Sequence, residues 1–182
     1  MKRIAMALVL LTLAIPALAR ELKGISMPDR ITVEGKQVVL NGMGLRTKLT
    51  FKVYVAGLYL ENATQNANAI LSSDQIRRVE MVMMRDLDKG KISEAVNSGF
   101  EKNSKSKLPE LKARLDQFNA GLTDLKEGDK LVITYIPSKG INLQSGAKSI
   151  AIEGKDFADA LFAVWLGQYP VDDDLKDGML GL

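Results

Sequence analysis

The sequence predicts an α+β domain built on a mainly antiparallel sheet with helices gathered against it. Three observations lead there. Residues 47–60 and 76–86 carry apolar side chains at every second position, the period of a strand with one face in a core. Residues 92–100 and 108–118 carry them three and four apart, the period of an amphipathic helix. The two kinds occur in blocks (strands, two helices, strands, helix) and not in the strict alternation that builds parallel sheets.

In order along the chain, Lys2 and Arg3 lead an apolar run from Ile4 to Ile15, and Ala17-Leu18-Ala19 follows as a cleavage pattern. Residues 1–19 are therefore expected to be a signal peptide removed on export, the run being too short to span a bilayer. Residues 20–182 then form a single domain, periplasmic or secreted. DRITVEGKQVVLN (29–41) reads as a hairpin turning at Glu34-Gly35-Lys36, and GMGL (42–45) as a glycine-rich bend. In the strand that follows, the odd positions Leu49, Phe51, Val53 and Val55 are expected to face the core; from Ala56 onward both parities turn apolar, which predicts cover on both faces. Val79, Met81 and Met83 alternate along the next strand. Helices over 93–100 and 108–118 bury Ile92, Val96 and Phe100, and Leu108, Leu111, Leu115 and Phe118. A hairpin opens at Gly128-Asp129 and runs through Lys130–Ile136 to Ile150–Ile152; Asp156 is placed to cap a helix over 157–166 that ends at Gly167, and a short last helix starts among Asp172 to Asp174.

Composition narrows the chemistry. The chain has no cysteine and no histidine, which excludes the usual zinc sites, Ser-His-Asp triads and Cys-His pairs. No metal or cofactor is expected, and catalysis would fall to Arg, Lys, Tyr or carboxylates. The 25 basic and 22 acidic residues nearly balance, the more so without Lys2 and Arg3, so charge gives no reason to expect nucleic acid or an anionic membrane as partner. No other apolar stretch is long enough to span a bilayer, so stable membrane insertion is not expected.

GMGLRTKLTFKVYVAGLYLE (42–61), with DLDKGKISEAVNSGFEKN (86–103) and GKDFADALFAVWLGQYPVDDDLKDGMLG (154–181), resembles the chalcone-isomerase-like family, most of all its bacterial exported branch. The resemblance implies an antiparallel sheet with a layer of helices on one side. It also implies roles for two residues. Arg46 matches the arginine that binds substrate in the plant isomerases, and Tyr54 falls at the strand position that is threonine in those enzymes and tyrosine in the fatty-acid-binding relatives, where the two hold a carboxylate. The helix tyrosine and asparagine of the isomerases are not matched: Lys91 or Ile92, and Ser98 or Gly99, stand in their places. The resemblance thus argues against chalcone isomerisation and for binding of a small amphipathic carboxylic acid such as a fatty acid, with no catalytic residue assigned.

The residue types agree with that reading. A guanidinium offers a planar fork of donors matched to a carboxylate, and a phenol adds one more donor on an apolar body. Met81 and Met83, beside Met84, offer an adaptable lipid-facing wall, with core filling as the alternative; Phe100 and Leu111 are weaker candidates of the same kind. Trp165 is assigned to the core. The alternative function is an isomerase or intramolecular lyase acting on an unsaturated or phenolic acid, with Tyr54 as acid/base; a second titratable side chain facing the cleft would favour it. A third class, a scaffold that binds partners, would have no cleft.

Overall fold

The computed structural model describes residues 18–182. The expected signal peptide lies almost wholly outside the described residues. Two short strands come first, β1 (Ala19–Leu22) and β2 (Ile25–Pro28), paired as a separate hairpin. Seven more form one antiparallel sheet in sequential order: β3 (Arg30–Val33), β4 (Lys36–Lys48), β5 (Phe51–Leu60), β6 (Arg77–Met83), β7 (Lys130–Ile136), β8 (Gly140–Ser145) and β9 (Lys148–Ile152). The α-helices of the described residues are α1 (Ala67–Ser72), α2 (Lys89–Asn103), α3 (Leu108–Gly121), α4 (Lys155–Leu166) and α5 (Asp173–Leu180). The main core joins the helices to one face of the sheet, and the predicted fold class and helical layer are both present. No helix among the described residues is long and apolar enough to cross a membrane.

The alternation in β5 has a different meaning from the one expected. Leu49 is 88% exposed and Phe51 56% exposed, because β4 runs on to Lys48 and the chain reverses through Leu49-Thr50, with Leu49 in the left-handed region at φ 55°. The residues of β5 that face the helices are the even ones, Tyr54, Ala56, Leu58 and Leu60. The odd ones, Val55 and Tyr59, join Met27, Val38 and Leu40 in a smaller core beneath the β1–β2 hairpin. That hairpin supplies the cover predicted from Ala56 onward.

GMGL is not a bend. It lies inside β4, and its glycines let α5 rest on the strand backbone to backbone: a methyl group at Gly42 would collide with the Gly178 carbonyl, and one at Gly44 with the Leu175 carbonyl. Close packing of this kind tolerates no side chain. α4 is apolar from Phe157 to Leu166 except for Asp159, and every apolar residue in that span is buried. Asp156 does not cap it; the N-cap is Gly154, at φ 103°, and Asp156 instead receives both Nη groups of Arg114 at 2.6 Å, tying α3 to α4. That pairing holds the Asp156 carboxyl below its usual range. Asp88 and Asp172 do cap helices, α2 and α5, by accepting from Gly90 N and Leu175 N.

Candidate functional site

Sheet register builds the floor of a cleft. Arg46 on β4 lies directly across from Tyr54 on β5, and Tyr54 across from Met83 on β6; two residues further along, Ala56 faces Met81. Ile92, Ala95 and Val96 of α2, with Val164 and Trp165 of α4, close over this row. They enclose a cleft of about 430 Å³, within the range of small-molecule sites. Its interior is apolar. The exposed tip of the β4–β5 hairpin, Leu49 and Phe51, forms one lip, and Lys48, Arg85, Asp86, Asp88 and Lys91 stand around the mouth.

Arg46 is half-buried and already engaged. Its Nη1 donates to Asp172 Oδ2 at 2.7 Å and to the Thr47 carbonyl at 2.9 Å. Asp172 divides its two oxygens: Oδ1 caps α5 at 2.9 Å and Oδ2 takes the guanidinium. The close packing of α5 on Gly42 and Gly44 is what carries Asp172 to this place. The Nε and Nη2 groups of Arg46 make no hydrogen bond to the described residues, so the fork retains donors for an incoming anion.

Tyr54 is buried, and Trp165 Nε1 donates to its hydroxyl at 3.1 Å. The phenolic proton has no acceptor among the described residues and is available to a ligand. Burial pushes the Tyr54 hydroxyl up to about 12, overriding the opposite pulls of the Trp165 hydrogen bond and the Arg46 charge. A phenol so placed donates a hydrogen bond and stays neutral at physiological pH, which suits it poorly to acid/base work.

Of the candidates taken from the sequence, Arg46, Tyr54, Met81 and Met83 come together in this cleft. Phe100 does not and is withdrawn as a ligand contact: it is fully buried deeper along α2, its ring 5.7 Å from that of Phe157. Leu111 is likewise core, and Met84 packs on the opposite face of the sheet. Trp165 is buried in the core, as its sequence setting predicts, and it also lines the cleft, where its indole positions Tyr54. A helix whose apolar residues from Phe157 to Leu166 are all buried offers no periodicity by which to single it out. Titratable groups besides Arg46 and Tyr54 also line the cleft, the feature that would favour an isomerase or lyase, but its two carboxylates are engaged elsewhere. Asp86 is held low by the Lys126 hydrogen bond, Asp88 is committed to its cap, and Lys91 is exposed.

A helix-covered antiparallel sheet with an apolar cleft lined by an arginine and a tyrosine on neighbouring strands is the arrangement these residues build. The chain belongs to the chalcone isomerase-like family, whose sequence model matches residues 19–181. The crystal structure of a fatty-acid binding protein from Arabidopsis thaliana is similar in fold, with a TM-score of 0.67 and 15% identity, covering 90% of this chain and 95% of that one. No curated protein gives a match.

Proposed function

We propose that this protein binds a small amphipathic acid, a fatty acid being the leading case, without transforming it. Arg46 and Tyr54 hold the carboxylate, and the tail lies along Met81, Met83, Ile92 and Val164. The observation that carries the reading is a pair of donors with no acceptor among the described residues, the Nε/Nη2 edge of the Arg46 guanidinium and the Tyr54 proton, on directly paired residues of β4 and β5 in the lining of an apolar cleft. The fold likeness to the Arabidopsis fatty-acid binding protein supports the choice of ligand class.

The test is a fatty-acid titration by calorimetry beside a thermal melt. Arg46→Ala is expected to weaken binding by about 2–5 kcal/mol, roughly thirtyfold to several thousandfold, since a desolvated carboxylate loses its partner. Arg46→Lys recovers part of this, as a point charge keeps Asp172 company without reproducing the fork. Tyr54→Phe costs about 1 kcal/mol in affinity. Contrary to what the strand pattern suggests, Arg46→Ala also lowers stability, by about 1.5–3 kcal/mol, because it removes a charged hydrogen bond to the α5 cap. Wild-type affinity in a folded Arg46→Ala would place the site elsewhere; full recovery in Arg46→Lys would show that charge alone, and not the planar fork, holds the head group.

The reading includes export to the periplasm or beyond, on the strength of the pattern in residues 1–19. The intact mass of the exported chain is expected to correspond to a start at Arg20; retention of residues 1–19 would overturn this part.

A further inference from the structure

Beside the apolar cleft lies a second, polar hollow of about 210 Å³, and the two share Arg46, Lys48, Lys91, Ala95 and Val171 in their walls. The hollow extends along α2, where Lys91, Glu94, Ser98 and Lys102 follow one another at helical spacing and so line one face. Four cations border it: Arg46, Lys48, Lys91 and Lys102. Glu94 is the one carboxylate in its lining.

The charges do not balance within the protein. Arg46 is matched by Asp172 at 2.7 Å, and Lys91 meets Glu94 at 3.5 Å. Lys48 and Lys102 have no ion-pair partner among the described residues. Two positive charges are thus left over at the point where a bound ligand's head would leave the cleft. A fatty carboxylate brings one negative charge, and Arg46 with Tyr54 already satisfies it. A phosphate monoester brings close to two, with acceptor oxygens pointing in several directions, which suits an arginine fork ringed by lysine point charges.

We propose that the hollow is a phosphate subsite and that the ligand is a single-chain phosphorylated lipid, its tail in the cleft and its phosphate among Arg46, Lys48, Lys91 and Lys102. This rests on the reading of the cleft as an acyl-binding site and specifies the head group that the site prefers.

The experiment compares three probes on the full chain: lysophosphatidate, the fatty acid of the same chain length, and inorganic phosphate. It uses wild type, Lys102→Gln and Lys102→Glu. Lys102 is exposed and lies outside the apolar cleft, so both variants are expected to fold and to keep their fatty-acid affinity. Lysophosphatidate is expected to bind wild type about tenfold more tightly than the fatty acid. Lys102→Gln removes part of that advantage and Lys102→Glu removes nearly all of it. The advantage also shrinks as salt rises from 0.05 to about 0.5 M, because the extra attraction is between partly exposed charges. Equal affinity for the two lipids, or an advantage that survives Lys102→Glu, overturns the proposal while leaving the acyl site standing. Inorganic phosphate binding as tightly as lysophosphatidate overturns the lipid assignment in favour of a site for free phosphate. Binding of neither lipid removes the proposed function itself.

Discussion

Asp159→Ala is expected to destabilise the protein by about 3–5 kcal/mol, and by more than Arg77→Met does. Arg77 is 0% exposed, a whole guanidinium inside the core. Its Nη2 donates to Asp159 Oδ1 at 2.7 Å, and its Nη1 to the Ile70 and Leu71 carbonyls near the end of α1, at 3.3 and 3.1 Å. The guanidinium carbon lies 4.6 Å from the centre of the Tyr135 ring and 5.0 Å from that of Phe162. Removing the carboxylate leaves this charge buried with two carbonyls and two rings, and a lone buried cation is among the most costly things a core can hold. Removing the arginine is gentler. Methionine fills much of the space, and Asp159, 30% exposed, keeps its 2.7 Å bond from Lys155. Urea denaturation midpoints of the two variants decide the order. Were Arg77→Met the worse of the two, volume and the α1 carbonyls, and not the charge, would be what the pair contributes.

The second large effect is expected at Gly44. By strand propensity alone, Gly44→Val should help by up to about 1 kcal/mol, since valine suits a strand and glycine does not. Packing predicts the opposite sign. Any Cβ at Gly44 runs into the Leu175 carbonyl, a backbone atom that cannot turn aside, so the strand and α5 must part. The expected loss is at least about 3 kcal/mol, at or beyond the upper end for overpacked cores. Parting them also draws Asp172 from Arg46, so ligand affinity should change together with the melting temperature. A variant as stable as wild type would show that α5 can ride up on a side chain, and that its seat on β4 is loose.

What could be read from the sequence was what depends on near neighbours. The 29–41 hairpin, the α2 and α3 stripes and the alternation in β6 are local patterns, and all are present. Parity in β5 misled because both faces of the sheet are covered, so an apolar residue at an odd position says nothing about which core it enters. The β1–β2 hairpin and α1 are too short to show a period. Arg46 and Tyr54 were singled out by family resemblance, and register makes them direct neighbours. Asp172 was not legible as their companion, since it lies 126 residues from Arg46 and meets it only through the docking of α5. Arg77 did leave a signal. It shares the parity of Val79, Met81 and Met83, and an arginine on the core side of a strand calls for a buried counter-charge.

The seat of α5 on β4 also bears on when the site comes into being. β3 through β5 pair with their sequence neighbours and can form early, whereas the contact between Gly42, Gly44 and α5 closes a loop of more than a hundred residues, and loops of that size form slowly. Until that closure, Arg46 lacks Asp172, and Leu175, Met179 and Leu180 have not yet entered the core. The Arg46 end of the cleft is therefore expected to be among the last parts of the molecule to be assembled, and a chain halted before residue 172 to hold much of the sheet while leaving that end of the cleft incomplete.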